Sequence, residues 1–226
     1  MDLIRQPRHI IRNAESDKAP IERLGKYETI AEQFRIIKSW EGQTNVWPLT
    51  FGRSILIGAA TATGIYINHR FRAKIKIRSY GEVPTMIGLA VTPALFTSLG
   101  HSEFVLNRLL LLDVRCPLCL ESKSALIQTC TGLFLPMIMA PLANFSVAAG
   151  SGAYNVPYIK DIKAISRTIF SVYQPMIPKI AMLFTFHALL ASYITYSEIK
   201  SFIRILDLQY LKEEEKKEKF VQDDIF

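Results

Sequence analysis

Residues 124–150 read SALIQTCTGLFLPMIMAPLANFSVAAG, 27 positions without an Asp, Glu, Lys or Arg. At ~1.5 Å per residue a helix of that length reaches about 40 Å, more than the ~30 Å hydrocarbon core of a bilayer. In lipid each backbone N–H and C=O must find its partner inside the protein, so such a run is helical. Pro136 and Pro141 each remove a helical hydrogen bond, and the stretch ends in small residues, so the segment is expected to be bent or partly unwound.

Three further stretches share this character. Residues 175–196 are apolar after Lys179, with His187 at mid-span. Residues 84–100 are apolar and contain Pro93, where a kink is expected. Residues 47–68 carry one charge, Arg53, near an end where a long side chain reaches the headgroups. Within this last stretch Gly58 with Ala62, and Ala60 with Gly64, stand at the small-xxx-small spacing that lets helix backbones approach closely. The expected fold is therefore all-α: a multi-pass membrane protein with four transmembrane helices, at about 47–68, 84–100, 124–150 and 175–196. Four spans place both ends on one side. Residues 101–123 read as a connector with a short apolar run at 109–112.

The ends are polar. Residues 1–46 hold 8 basic and 7 acidic residues, and Ile30, Phe34, Ile37 and Trp40 share one helical face, as in an interfacial helix or one packing on its neighbours. Arg5, Arg8 and Arg12 give a faint organelle-targeting character, but Asp2, Pro7, Glu15 and Asp17 spoil a basic amphipathic helix, so internal targeting is expected. Residues 197–226 begin as an amphipathic helix through Ile199, Phe202, Ile203 and Leu206, then become the charge run KEEEKKEK.

The net charge of +7 does not signal nucleic acid. Of the 27 Lys and Arg, 14 lie before residue 40 or after residue 197, and no aromatic-basic stacking platform appears. With 50% hydrophobic residues and a mean hydropathy of +0.19, the chain is more apolar than a soluble domain of this size requires. Arg70, Arg72, Lys74, Lys76 and Arg78 follow the first span at alternate positions. They are expected to hold the membrane boundary at the lipid headgroups, and an anionic-lipid site is the sharper alternative. Their density favours the first and third loops on the matrix or cytoplasmic side.

Little here promises chemistry. Cys116 and Cys119, in CPLC, are the one redox-like feature, and a disulfide or a pair of reduced thiols is expected there in preference to catalysis. Zinc wants four ligands, and only these two with His101 lie near in sequence, so no metal and no cofactor is expected. A quinone-linked thiol oxidase needs a second cysteine pair, and only Cys130 remains, read as a small filler of the third span. His187 has no charged group at comparable depth, so a neutral ring hydrogen-bonded across the bundle is expected, not a proton relay. No nucleotide, nucleophile-elbow or metalloprotease motif occurs, and no internal repeat supports a transporter.

From Gly52 to Leu208 the order of segments resembles the transmembrane protein 126 family of mitochondrial inner-membrane proteins. The resemblance rests on the first span followed by HRFRAKIKI, on PTMIGLAVTPALF, on DVRCPLCLESKSAL with its paired cysteines, on the small-residue third span, on ISRTIFSVYQPMIPKIAMLF, and on YSEIKSFIRILDL. It implies a non-enzymatic assembly factor for respiratory complex I, the proton-pumping NADH:ubiquinone oxidoreductase. Such a factor acts as a membrane scaffold or chaperone whose partners are membrane-arm subunits, other assembly factors and membrane lipids. The alternatives from other classes are a membrane thiol oxidoreductase using Cys116 and Cys119, and a lipid or small-solute transporter.

Overall fold

The computed structural model describes residues 19–40, 43–77, 79–114, 116–151 and 162–223. Its helices are α1 (Ala19–Lys38), α2 (Gln43–Ile75), α3 (Glu82–His101), α4 (Pro117–Thr129 and Leu135–Ser151), α5 (Ile162–Tyr173) and α6 (Ile177–Asp223). Helix α3 continues through a π-helical turn, Ser102–Leu106, to a last turn, Asn107–Leu110; a second π-helical turn, Cys130–Phe134, joins the halves of α4. A 3-10 turn, Gln174–Met176, joins α5 to α6. Among the described residues there is no strand.

The chain divides into two units, Met1–Trp40 and Glu41–Phe226. In the first, α1 is the expected helix of the polar arm, and the Ser39 N–H closes its last turn on the Arg35 carbonyl. The second unit is a bundle in which α2 packs on α3, α4 and α6. Residues 1–18, 41–42, 78, 115, 152–161 (with Lys160 and Asp161 of the expected third connector) and 224–226 lie outside the described residues.

Three helical stretches, Glu82–Leu110, Pro117–Gly150 and Lys163–Leu211, are long and apolar enough to cross a membrane. Helix α2, expected as the first of four spans, has the length, 33 residues, but is not among them. Thr50, Arg53, Ser54, Thr61, Thr63 and Asn68 dilute its apolar run. The other helices outrun their expected spans. Of the expected connector at 101–123, the stretch from His101 to Leu110 is helical because Val105, Leu106, Leu109 and Leu110 are all buried. The π-helical turn adds a residue to one turn and keeps both pairs facing inward. Helix α2 stops at Lys76, held at φ 59°, and α3 starts from Gly81 at φ 62°, where a left-handed backbone suits glycine.

A proline inside a helix strips the carbonyl four residues earlier of its helical donor, and for Pro93 and Pro141 the bundle supplies substitutes. Pro93 frees the Leu89 carbonyl, and Gly64 of α2 lies directly against that oxygen. A Cβ at Gly64 would collide with it, so the glycine hydrogen points where a weak C–H···O contact forms. Pro141 frees the Met137 carbonyl, which accepts the Tyr173 hydroxyl at 2.7 Å. Helix α3 is thereby continuous through Pro93 and α4 through Pro141. The apolar core beside these contacts joins Ile67 and Phe71 of α2 to Leu89 of α3 and Leu133 and Ala140 of α4. Phe71 meets Phe145 edge-on, with ring centroids 5.7 Å apart.

Candidate functional site: a polar spine inside the bundle

Gly52, Leu56, Ala60, Thr63, Ile67 and Phe71 recur every three or four residues along α2, and all are buried. Gly64, Asn68 and Arg72 run beside them on the same inward face. The stripe thus carries polar groups into the interior, where each must be paired. Three clusters do this. From Gly52 to Arg72 they follow α2 for about 30 Å at helical rise, roughly the hydrocarbon thickness of a bilayer.

The first cluster is a buried pair. His101 Nε2 lies 3.0 and 3.1 Å from the two carboxylate oxygens of Glu198 on α6. The side chains are 2% and 1% exposed. Gly52 leaves the room for this pair, since a Cβ there would stand 2.9 Å from Glu198 Oε1 and 2.8 Å from Ile194 Cγ2. Beside it Arg53 Nη1 donates to Ser102 Oγ at 3.0 Å, so the expected headgroup anchor also ties α2 to the end of α3.

The second cluster centres on His187, buried on α6. Gln128 Nε2 donates to His187 Nδ1 at 3.1 Å and to the Leu56 carbonyl at 3.0 Å. An amide nitrogen only donates, so Nδ1 is the acceptor and Nε2 carries the ring proton toward Thr63 Oγ1, 2.9 Å away. The ring is the neutral, cross-bundle histidine expected from the sequence, and it joins α2, α4 and α6. Gly132, in the π-helical turn of α4, admits it: a Cβ there would lie 2.9 Å from His187 Cε1.

The third cluster surrounds Arg72. Nη2 donates to the Tyr80 carbonyl at 2.9 Å. Nη1 donates to Thr85 Oγ1 at 3.1 Å, to Asn144 Oδ1 at 3.2 Å and to the Gly81 carbonyl at 3.4 Å. Asn144 Nδ2 in turn donates to Asn68 Oδ1 at 2.7 Å and the Ala140 carbonyl at 2.8 Å. One guanidinium thus locks the turn between α2 and α3 onto α4.

This corrects the reading of Arg72 as a headgroup anchor. Its planar fork is engaged by acceptors inside the bundle, and it is 4% exposed. Arg70, Lys74 and Lys76 are exposed, while Arg78 lies outside the described residues. The small-residue pairs also separate. Ala60 and Gly64 pack inward, whereas Gly58 and Ala62 face outward, with nothing within 4 Å of a Cβ at Gly58. Cys116, Cys119 and Cys130 are all free thiols, and Cys130 is exposed on the side of α4, not packed as a filler. Among the described residues no three His, Cys, Asp or Glu side chains gather where they could hold a metal ion.

Sequence reasoning missed the pairing of His101 with Glu198, having placed one in a connector and the other in the tail. A signal existed: Glu198 interrupts the buried periodicity Ala191, Ile194, Thr195, Ile199, Phe202, Ile205. The same holds for Gln128, on one face with Ser124 and Leu120.

The family model described as Transmembrane protein 126 matches residues 27–212. A curated relative named "Transmembrane protein 126", from Drosophila melanogaster, is 32% identical over 197 residues, covering 83% of this chain and 87% of the relative. No solved structure matches.

Proposed function

The chain belongs to the transmembrane protein 126 family, and from that premise we propose that it is a non-enzymatic scaffold of the mitochondrial inner membrane that binds membrane-arm intermediates of respiratory complex I during assembly. On this reading α2 is a fourth span, its inward polar side chains Thr63, Asn68 and Arg72 tolerated because they are bonded to the other helices, with the exposed Thr50, Arg53 and Ser54 toward one end. Membrane-arm subunits, other assembly factors and membrane lipids are the partners.

The observation that supports the reading best is the division of the surface. In the three clusters the buried polar side chains are bonded to one another, whereas Ile87, Val91, Leu95, Met182, Phe186 and Leu189 point outward. The small outward pair Gly58 and Ala62 would let a partner's helix approach α2 closely. An apolar exterior around a rigid polar spine suits a protein that works by helix docking.

The test is removal of the protein from cells, followed by native-gel profiling of respiratory complexes. The expected result is loss of mature complex I with accumulation of membrane-arm intermediates. Unchanged complex I and intermediates would overturn the proposal.

A further inference from the structure

Cys116 is the N-cap of α4 and Pro117 occupies the first helical position. The Cys119 N–H donates to Cys116 Sγ at 3.4 Å, so the first sulfur sits where a helix start offers its unpaired donors. The i, i+3 spacing brings the second thiol to the same end. That thiol also hydrogen-bonds to Cys116 and, with the backbone N–H, holds Cys116 below the usual thiol range. A lone thiol at a helix start could go no further than a mixed disulfide; here a second thiol is within reach to resolve it.

The pair is also placed in water. Helix α4 from Pro117 to Gly150 has 34 residues. At helical rise that is about 51 Å, roughly 20 Å longer than a hydrocarbon core. Glu121 and Lys123 are charged, and no further Asp, Glu, Lys or Arg occurs before Lys160, so the surplus length lies at the Cys116 end. Cys119 is exposed, and so is Leu118 between the two. Cys130 is also exposed but stands within the uncharged stretch of the apolar helix.

We propose that Cys116 and Cys119 form a dithiol–disulfide exchange site whose co-reactant is a disulfide, with Cys116 as the attacking thiolate and Cys119 as the resolving thiol. The Cys116 thiolate attacks one sulfur of R–S–S–R, the S–S bond breaks, and one RS⁻ leaves, giving a mixed disulfide on Cys116. Cys119 then loses its proton and attacks Cys116 Sγ, expelling the second RS⁻. The two thiol protons end on the two leaving thiolates. The cysteines are oxidised to one disulfide, and R–S–S–R is reduced to two RSH. The site stands independently of the scaffold reading, because its readout is at the thiols and not at complex I.

The experiment uses the full chain in lipid nanodiscs. One arm offers glutathione disulfide and the other a disulfide-bonded peptide, with remaining thiols trapped by a maleimide and mapped by mass spectrometry. Closure of the 116–119 disulfide in either arm, with Cys130 still free, is expected, and the more efficient arm identifies the source of the disulfide. Cys119→Ser should accumulate a mixed disulfide on Cys116, while Cys116→Ser should form one on Cys119 at least about fivefold more slowly. Competitive alkylation of the three thiols in the unaltered chain tests the same order without any variant, with Cys116 expected to react first. No closure in both arms, or equal alkylation of Cys116 and Cys119, overturns the proposal.

Discussion

Replacing Arg72 by Ala distinguishes a lipid anchor from an internal clamp. Its guanidinium donates hydrogen bonds of 2.9 to 3.4 Å to Tyr80, Gly81, Thr85 and Asn144. A hydrogen bond to a charged group contributes about 1.5–3 kcal/mol net, but several that share one ion are not additive. Removing the guanidinium orphans several neutral buried acceptors, each at about 1–3 kcal/mol and less than additively, so the total loss is about 3–5 kcal/mol. Lys74→Ala, on an exposed side chain of the same helix, should change stability by no more than about 0.5 kcal/mol. Arg72→Lys should recover roughly half of the loss, because an ammonium lacks the planar fork and reaches only some of these acceptors. The assay is unfolding of the purified chain in mixed micelles by SDS titration, followed by Trp fluorescence. Equal losses for Arg72→Ala and Lys74→Ala, or full rescue by Lys, would refute the reasoning.

Three other perturbations test the spine. His101→Leu and Glu198→Leu should each cost about 3–5 kcal/mol, while the double variant should cost less than either single one, because no buried partner is left alone; simple additivity in the same titration would sink this. Gly64→Ala should destabilise by about 1–3 kcal/mol through its collision with the Leu89 carbonyl, whereas Gly58→Ala should be neutral or slightly stabilising. Matching melting temperatures for the two glycine variants would count against the packing described. Tyr173→Phe should cost about 1–2 kcal/mol by orphaning the Met137 carbonyl, and much less in a Pro141→Ala background that restores the helical donor. An undiminished cost in that background would mean that Pro141 is not the reason for the contact.

Much of the architecture was legible because lipid permits few solutions. An uncharged run such as 124–150 has no other stable state than helix, and the charge-rich ends cannot enter the hydrocarbon. The neutral, cross-bundle state of His187 followed from the lack of a charged neighbour in the sequence. The limits of α3 and α4 were not legible, because burial of Val105, Leu106, Leu109 and Leu110 extends helix through residues that read as a connector. Helix α2 is the instructive case: its polar residues place it outside the apolar helices, while Thr63, Asn68 and Arg72 are its firmest attachments to them.

The candidate site was legible only as a set of isolated residues. Five basic residues after the first span looked equivalent, because spacing reports which residues are near a boundary and not which way each one turns. By itself the sequence determined that this is a helical membrane chain with apolar runs, a basic first loop, paired cysteines and a small-residue stripe. Only the tertiary structure decided that Arg72 turns inward, that Gly64 packs while Gly58 is free, and that Glu198 finds His101. The physical reason is that these pairings join residues between 8 and 97 positions apart in the chain. Their choice depends on how helices rotate against one another, which local propensity and composition do not encode.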